Sequence, residues 1–593
     1  ERYVLIAIAM IVAQLLLRGW AASGSWFYSD DFIFLGATAH GDADTGWLFH
    51  AHNVHLMPFG LFLSTLVGHA GAFSWWFAAT QIIVMQAVAS LACWWMLRRL
   101  FGDRPGVLVA LAFYLFSPLS FPTVVWWSAA LNQLPHQIAL FGAVAAHVGY
   151  LRTRHPSQAV LAGAFLLLGL ASYAKAALIP LVLVALAVLY FSSGRPVARL
   201  RTALTRYWHA WAIYATLVVG YLVLYFVKVP GTERPSVGGT LETLDLTITQ
   251  AFAPATLGGP WDWQSLGLLG GIGPRLFVDT PLILVAVAWV VIAAFWAHQA
   301  LVRRRAWWPL LILVPYLVLG GLLIAAGRAE AFGSTSAGLE LRYLADMAGV
   351  VALCLALATM PLKGAWQSSE ARPTPLISVA PPRRVLQVGA VVFLVGSLVS
   401  SIGYTRPWHD AESMPQRTYV DTVRSELGST PVTVADAGVS DDVLWSVAFP
   451  YNLISRFLAP FGDRVRVTEA GNDLRVFDTS GRLAKATIEG EPRTEPGPAE
   501  NCGYAVGEPT TIPIVPVFDF SHWVQINYLG GADGTATVQA GRTEIEVPIE
   551  RGLHSLFLKT DGAYGEVTIA PADGLGLCVD WINVGPLVAE EPQ

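Results

Sequence analysis

The chain has 593 residues, of which 54% are hydrophobic and only 13% charged, and its mean hydropathy is +0.52. Soluble domains carry about 25% charged residues, so this composition excludes a soluble globular protein, and it also excludes a disordered chain, a coiled coil and a disulfide-rich miniprotein. The net charge of −5 excludes a basic nucleic-acid-binding surface. We therefore expect an integral membrane protein.

Apolar segments dominate the chain as far as residue 404. A membrane span needs about 20 apolar residues. Eleven segments approach this length, and they predict transmembrane helices near 3–20, 73–97, 106–122, 130–150, 158–174, 176–191, 209–229, 282–302, 307–327, 344–362 and 385–404. The two segments on either side of Lys175 are short, which predicts a hairpin with its turn at one membrane face.

The connections between these segments differ in charge. Cytoplasmic loops are enriched in Lys and Arg. Alternate connections carry sixteen cations: Arg98, Arg99, Arg104, Arg152, Arg154, Arg195, Arg199, Arg201, Arg206, Arg303, Arg304, Arg305, Lys363, Arg372, Arg383 and Arg384. We therefore predict a cytoplasmic N-terminus and an extracytoplasmic chain after residue 404. The first apolar segment begins almost at Glu1, so we expect a cytoplasmic tail before it, and no cleavable signal pattern is present.

The chain after residue 404 predicts two extracytoplasmic lobes. Residues 405–499 favour an α/β lobe, with strands in VTVAD, RVRVTEA and DLRVFDT and a helix over 441–461. Residues 500–593 contain short alternating runs separated by Gly, Asp and Asn, a pattern typical of a β-sandwich or jelly roll. The predicted fold is thus a polytopic helical membrane domain over 1–404 followed by an α/β lobe and a β-sandwich.

The four cysteines fall into two pairs. Cys502 and Cys578 bracket the β segment on the predicted oxidising side of the membrane, so we predict a disulfide between them. Cys93 and Cys354 lie inside apolar segments, where they are expected to be small buried side chains.

The first outer connection contains an unusual acidic and histidine-rich stretch over residues 24–60. It holds no Lys or Arg, and its acidic and histidine residues are Asp30, Asp31, Asp42, Asp44, His40, His50, His52 and His55. Three interpretations remain open: a general base acting on a sugar hydroxyl, a metal site, and a solvated loop whose Ser29 or Asp30 caps a helix. The H-x-H-x-x-H spacing of the metal interpretation matches no standard signature.

The pair Asp30–Asp31 that follows the first span resembles the acidic pair of the GT-C glycosyltransferases. The resemblance covers residues 1–404, with a cytoplasmic N-terminus, about eleven spans and an outer domain. It implies that one carboxylate is the catalytic base and that the donor is a sugar on a polyprenyl phosphate. Adjacent residues do not share a helix face, so only one of the two can act, and we favour Asp30. The outer β module, which closes with CVDWINV, is similar to the carbohydrate-binding module of mycobacterial arabinofuranosyltransferases.

Such a donor carries an anionic phosphate, which requires cations at the outer membrane boundary. The sequence offers Lys175 and Arg342 as the favoured donor-phosphate ligands, followed by Arg275 and Arg328. These side chains could also merely snorkel toward the interface. We expect Lys175 and Arg342 to face a common cavity near the first outer loop.

Several other side chains are candidates for binding substrate. They are His52 and His55 in the first outer loop, Trp261 and Trp263 in the second long outer connection, and Trp523, Tyr528 and Trp581 in the β module. Trp rings stack on sugars but also anchor proteins at membrane interfaces, and rings in a β module also fill its core. These alternatives remain open.

Together with the apolar segments, the resemblance implies an inverting glycosyltransferase of the bacterial plasma membrane. It would move a sugar, with arabinofuranose as one candidate, from a polyprenyl-phosphate donor to a cell-envelope glycan or lipid-linked acceptor. No nucleotide-binding motif is present and no cofactor is required, although a divalent metal remains open. Two other classes are a transporter or flippase of lipid-linked glycans and a non-catalytic scaffold that binds envelope glycans. No nucleic-acid partner is expected.

Overall fold

The computed structural model describes residues 1–229, 231, 235–266, 273–377 and 381–590. The chain divides into two compact units, one formed by residues 1–34 and 42–414 and the other by residues 35–41 with the chain from Pro415 onward. The predicted boundary at residue 404 is therefore too early. The last apolar helix, Arg383–His409, continues past it because Tyr404 and Trp408 are buried and extend its packed face.

The first unit is helical. The α-helices that begin in it cover Arg2–Gly24, Asp30–His40, Thr45–Leu48, Pro58–Gly68, Trp75–Phe101, Pro105–Phe116, Pro122–Val125, Trp127–Thr153, Pro156–Leu170, Ile179–Tyr190, Pro196–Arg206, Trp208–Lys228, Val237–Asp245, Ala253–Ala255, Leu282–Val302, Leu310–Ile324, Glu330–Phe332, Ser334–Leu339, Met347–Thr359 and Arg383–His409. Tighter 3₁₀ turns cover Pro118–Ser120, Ala174–Leu178 and Leu341–Leu344, and wider π-helical turns cover Leu246–Phe252 and Ala325–Ala329.

Seven helices in the described part of the chain are long and apolar enough to cross a membrane. They are Arg2–Gly24, Trp75–Phe101, Trp208–Lys228, Leu282–Val302, Leu310–Phe332, Leu341–Thr359 and Arg383–His409. The pair Pro105–Phe116 and Pro118–Val125 makes an eighth if its 41° bend is counted within one span. Proline at positions 118 and 122 removes backbone donors there, which explains the break. The chain is a polytopic α-helical membrane protein, as predicted.

The remaining three predicted spans are helical but do not meet these criteria. The segment 130–150 lies within the 27-residue helix Trp127–Thr153, in which Gln133, His136 and Gln137 are buried. These polar side chains lower the mean hydropathy of the segment, and they are buried within the protein. The helices of the predicted hairpin, Pro156–Leu170 and Ile179–Tyr190, have only 15 and 12 residues. Eleven spans is therefore more than length and composition support in the described chain.

The β structure lies mainly in the second unit. Two short strands of the first unit, β1 (Trp263–Gln264) and β2 (Phe277–Val278), pair antiparallel. The strands of the second unit are β3 (Val432–Ala435), β4 (Val465–Thr468), β5 (Ala470–Asn472), β6 (Arg475–Phe477), β7 (Leu483–Ile488), β8 (Tyr504–Val506), β9 (Thr510–Gly530), β10 (Gly534–Ala540), β11 (Thr543–Ile549), β12 (Gly552–Pro571), β13 (Leu577–Gly585) and β14 (Leu587–Ala589).

One seven-stranded antiparallel sheet dominates this unit. Its order is β11-β10-β12-β9-β13-β8, with β5 beside β12. The sequence predicted only short strands, for example IPIVPVF and WVQINYLG over 512–530 and HSLFLKT and YGEVTIA over 554–570, but these four runs form two long strands of 21 and 20 residues, β9 and β12. Register shifts near Gly562 and Tyr564 allow these strands to continue past the turn-like residues. Strands β10 and β11 lie beside the C-terminal half of β12, whereas β5, β13 and β8 lie beside the other halves of β12 and β9. Residues from both halves of these long strands share one buried core.

The predicted division at residue 499 also changes. Strand β5 pairs with β12, and β7 pairs with β14, so residues on both sides of that boundary share their sheets. The parallel pair β3–β4 keeps the α/β character that was predicted for the first lobe.

The helix predicted over 441–461 is wrong for most of its length. The structure has only the short turns Ser446–Ala448, Ile454–Phe457 and Ala459–Arg464 within and just beyond this range. Pro450 and Pro460 lack the backbone donor that a continuous helix needs. The remaining helix of this unit is Pro415–Glu426.

A disulfide joins Cys502 and Cys578, as predicted, and Cys93 and Cys354 are free and buried. The bond closes a loop between residues 76 positions apart.

The chain-entropy model predicts that Cys502→Ser lowers the free energy of unfolding by about 4 kcal/mol. Denaturant unfolding followed by the fluorescence of the full-length protein measures this. Peptide mapping without reductant that finds both thiols free in the wild-type protein would contradict the bond.

Candidate functional site

Asp30 is the first residue of the helix Asp30–His40, directly after the left-handed residue Ser29. Its Oδ1 lies 3.4 Å from Nε2 of His52, and 29% of its side chain is exposed. Burial raises the pKa of Asp30, but the electrostatic influence of His52, its hydrogen bond, and the charges of Arg342 and Arg328 outweigh this effect. The pKa of Asp30 is therefore well below its ordinary range, and the carboxylate is ionised and accessible at neutral pH.

Asp31 has a different environment, although it is the next residue. It is fully buried, and its two carboxylate oxygens accept hydrogen bonds from the backbone N–H groups of Tyr28 and Ser128 at 3.0 and 2.8 Å. Burial raises the pKa of Asp31, and the two backbone donors oppose that rise. Both oxygens of Asp31 therefore bond to the backbone, and Asp30 is the carboxylate of the pair that remains accessible.

Contacts with residues 125–128 hold the loop that carries the acidic pair in place. The hydroxyl of Ser25 donates to the carbonyl oxygen of Val125 at 2.6 Å. The Tyr28 ring packs edge-to-face on Trp126 with 5.1 Å between centroids. Together with the bond between Ser128 and Asp31, these contacts set the position from which Asp30 begins its helix.

A four-residue turn connects two histidines of the first outer loop. His52 and His55 exchange backbone hydrogen bonds of 2.9 Å in both directions. His52 lies beside Asp30, whereas Nε2 of His55 accepts a hydrogen bond from Arg328 at 2.7 Å. Arg328 lies in the π-helical turn Ala325–Ala329, a type of irregularity that is frequent at functional sites. The structure therefore brings one of the predicted cations to the first outer loop.

Arg342 and Arg275 share a single carboxylate. The side chain of Glu340 lies 3.1 Å from Nε of Arg342 and 2.5 Å from the guanidinium of Arg275, and it is almost fully buried. The Arg342 guanidinium also stacks over the ring of Trp126, with 3.9 Å to the ring centroid. Two arginines and one glutamate leave one net positive charge next to the loop that carries the acidic pair.

Lys175, the other favoured phosphate ligand, is in a buried ion pair. Its Nζ lies 2.8 Å from Oδ1 of Asp346 and donates to the carbonyl oxygen of Tyr343, and only 3% of its side chain is exposed. Asp346 also accepts a hydrogen bond from Tyr316 and lies 3.6 Å from Nε2 of His136. Because this charge is already neutralised, Lys175 is a weaker candidate for phosphate than the sequence suggested.

A cavity of about 440 Å³ lies beside these groups. Most of its lining is apolar and comes from the helices Trp208–Lys228 and Leu310–Ile324 and from residues 174–178. Its polar lining includes His55, Arg328 and Lys175. Lys175 therefore faces a cavity that extends to the first outer loop, as expected, but Arg328 takes the place that was expected for Arg342.

Trp261 and Trp263 pack against the helix Arg383–His409. The indole N–H of Trp263 donates to the carbonyl oxygen of Ser400 at 3.1 Å, and its ring lies 4.8 Å from that of Tyr404. Trp261 lies against Gly396, where no Cβ would fit beside its Nε1. Both rings are half-buried, and part of each is engaged in packing against this helix.

The structure contradicts two of the three aromatic candidates in the β module. Trp523 is 7% exposed and packs in a small cluster with Val476 and Phe557. Tyr528 is 1% exposed, and its hydroxyl bonds to Asn472 and to the backbone of Glu550. These rings fill cores, so they cannot stack on a glycan. Trp581 is half-buried and remains a candidate.

The described residues contain no group of three or more His, Cys, Asp or Glu side chains arranged to hold a metal ion. His50, His52 and His55 do not converge, because His52 is directed to Asp30 and His55 to Arg328. The metal interpretation of the H-x-H-x-x-H spacing thus has no support in the described chain.

Sequence reasoning missed three members of the site: Glu340, Asp346 and Trp126. The two acids flank Arg342 in LELRYLADM, at the start of a span. Ionisable residues within a span are commonly functional, and this signal could have identified them. Trp126 gave no such signal, because its role depends on the arginine that packs over it.

No family model and no curated protein matches the chain. Among solved structures, it is similar to ArnT from Cupriavidus metallidurans bound to undecaprenyl phosphate, with 13% identity over 78% of this chain and 89% of that chain, and a TM-score of 0.37. It is also similar to the arabinofuranosyltransferase AftD from Mycobacteria, with 12% identity over 99% of this chain and 60% of that chain, and a TM-score of 0.39. For the arabinosyltransferase EmbB from Mycobacterium smegmatis, the identity is 12% over 99% of this chain and 64% of that chain, with a TM-score of 0.30. The chain thus spans less than two thirds of the latter two proteins.

Proposed function

We propose that the protein is an inverting glycosyltransferase. It moves a sugar from a polyprenyl-phosphate donor to a cell-envelope glycan or lipid-linked acceptor on the extracytoplasmic face, with arabinofuranose as the candidate sugar. The observation that carries this proposal is the accessible carboxylate of Asp30 beside His52, on the same loop as His55, which accepts a hydrogen bond from Arg328. Arg328 also lines the apolar cavity.

The chemistry needs one base and a cationic site for the leaving group. The acceptor hydroxyl attacks the anomeric carbon, its proton passes to Asp30, and the bond between that carbon and the phosphate oxygen breaks. The donor phosphate is a diester with one negative charge, and the departing polyprenyl phosphate carries one more. Because the leaving phosphate needs no proton, a second carboxylic acid is not required, unlike in glycoside hydrolysis.

The charges near the cavity match these requirements. Arg328 has a histidine as its partner, and the cluster of Arg275, Arg342 and Glu340 carries one net positive charge. Such fixed cations stabilise the charge that develops on the leaving phosphate. The apolar lining from residues such as Leu178, Leu222 and Phe226 suits a polyprenyl chain.

The second unit is proposed to bind the acceptor glycan on the extracytoplasmic side of the bacterial plasma membrane. Trp581 is the remaining aromatic candidate for this contact, since its ring is half-buried at the sheet surface. The predicted orientation, with a cytoplasmic N-terminus, follows from the cationic connections and stays part of the proposal.

Incubation of the purified full-length protein with radiolabelled polyprenyl-phosphate sugars and envelope acceptors tests the function. Transfer of label to acceptor, with release of polyprenyl phosphate, supports the transferase. Movement of labelled lipid across proteoliposomes without bond cleavage would instead indicate a flippase. Glycan binding without transfer or movement would indicate a scaffold.

Arg328→Gln is expected to lower the use of a polyprenyl-phosphate donor. A hydrogen bond to a charged group contributes about 1.5–3 kcal/mol, so we expect the KM for donor to rise about 10- to 100-fold. Initial rates at varied donor concentration measure this. Arg104→Gln removes an exposed arginine at a helix start and serves as the matched control, for which no change is expected. An unchanged KM in Arg328→Gln would exclude Arg328 from the donor site.

A further inference from the structure

The turn His52–His55 is short and closed. The backbone N–H and C=O groups of the two histidines pair in both directions at 2.9 Å, with only Asn53 and Val54 between them. Asn53 has a φ of +52°, in the left-handed region that asparagine tolerates better than most residues. The spacing of the two histidines along the loop is therefore set by the backbone, and their side-chain contacts decide where each ring points.

Each end of the turn contacts a different charged group. The ring of His52 packs edge-to-face on Phe34 at 4.8 Å, which directs Nε2 toward Asp30. At the other end, the ring of His55 packs on Tyr173 at 5.5 Å and accepts a hydrogen bond from Arg328. An acceptor Nε2 requires a neutral imidazole with its proton on Nδ1. Burial and the charge of Arg328 hold the pKa of His55 well below its ordinary value, which agrees with this state.

We propose that His52 is a positioning residue for the carboxylate of Asp30 and that the turn His52–His55 holds it in register with the cation Arg328. The inference rests on the proposed function for the role of Asp30 as base. The turn places His52, the partner of the base, and His55, the partner of the donor-site arginine, three residues apart, so a single closed turn sets the spacing between the two halves of the reaction. Besides His52, the charged and titratable groups that act on or respond to Asp30 are Arg342, Arg328, Asp31, Tyr28 and His55.

Two substitutions of His52 test the pairing. His52→Phe keeps the ring against Phe34 but loses the nitrogen, and we expect kcat to fall about 10- to 100-fold with a smaller change in the KM for donor. His52→Gln keeps a polar N–H group at this position and is expected to recover most of that loss. His50→Ala removes an exposed histidine of the same loop and is expected to leave the rate unchanged. A wild-type kcat in His52→Phe would overturn the proposal.

The ionisation of Asp30 gives a readout that does not depend on transfer. Infrared difference titration against Asp30→Asn reports when the carboxylate is protonated. In the wild-type protein the carboxylate stays ionised as the pH falls below the ordinary value of about 4, because its pKa is lowered. In His52→Phe the pKa rises, so protonation and the loss of activity begin at a higher pH. Coincident titrations would show that His52 acts only on packing, and would overturn the proposal. If His52→Phe shifts the titration of Asp30 as expected but the wild-type protein transfers no sugar, the pairing is supported and the proposed function is rejected.

The turn itself is tested by a matched pair at the exposed Asn53. The side-chain nitrogen of Asn53 lies 3.3 Å from Nε2 of His52, and both variants lose this contact, so they differ only in the backbone. Asn53→Gly keeps the left-handed conformation, whereas Asn53→Val strains it because a β-branched residue is disfavoured there. We expect Asn53→Val to shift the titration of Asp30 upward and to raise the KM for donor together, and Asn53→Gly to change both less. A change in only one of the two readings in Asn53→Val would show that the turn does not link the base to Arg328.

Discussion

Asp30→Asn is expected to lower kcat for sugar transfer by about 10²–10⁴-fold, the usual effect of losing a general base. The substitution keeps the shape of the side chain but cannot accept the proton of the acceptor hydroxyl. Donor binding should be largely kept, because the arginines and the cavity are unchanged. Steady-state rates with labelled donor, together with a donor-binding measurement, separate the two effects.

Asp31→Asn and Asp44→Asn are the matched controls. Asp31 accepts two backbone hydrogen bonds, and an amide can accept only on one side, so the substitution should lower the free energy of unfolding by about 1–3 kcal/mol with a smaller effect on kcat. Asp44 caps a four-residue helix in the same loop, and its loss should leave turnover unchanged. Wild-type turnover in Asp30→Asn would refute the assignment, and an inactive but folded Asp31→Asn in the same assay would move the role to Asp31.

Lys175→Gln is expected to destabilise the protein by about 3–5 kcal/mol, the usual effect of leaving one partner of a buried ion pair alone. The carboxylate of Asp346 is fully buried, and Lys175 is the cation that pairs with it. Asp346→Asn should be destabilising for the converse reason. The double variant Lys175→Gln with Asp346→Asn contains no buried charge at this pair and should recover much of the loss. Thermal unfolding of the detergent-solubilised protein measures all three.

The double variant also decides what Lys175 does for the donor. If the lysine serves the fold by holding Asp346 and Tyr343, the double variant should use donor with a KM close to that of the wild-type protein. If Lys175 binds the donor phosphate, the double variant should be stable and yet show a KM raised about 10- to 100-fold. Equal stability of the single and double variants would contradict the structural role of the ion pair.

Much of the fold could be predicted from local properties of the sequence. The length and hydropathy of each apolar segment located the helices of the first unit, because burial in a bilayer is decided within about 20 consecutive residues. The alternating runs after residue 500 located the strands of the large sheet, and the two cysteines that bracket them form a bond. The acidic pair in an outer loop without cations was equally visible as a candidate site.

Only the tertiary structure decided the partners of these residues. Asp30 and Asp31 are neighbours in sequence, but one lies beside His52 while the other bonds to the backbone of Ser128. The strands that looked separate in sequence continue through irregular positions because their pairing with neighbouring strands tolerates register shifts.

The environments of the cations and the aromatic rings were also decided by the tertiary structure. Lys175 looked like a phosphate ligand until Asp346, 171 residues away, was found to neutralise it, and Arg328 reaches His55 across 273 residues. Trp523 and Tyr528 were candidates for stacking on sugar, but packing against distant segments buries each ring in a hydrophobic core. The hydropathy of a segment depends only on its own residues, and the sequence therefore located the long apolar helices. The charge that a buried side chain retains depends on contacts between distant segments, and only the packing of the chain determined those.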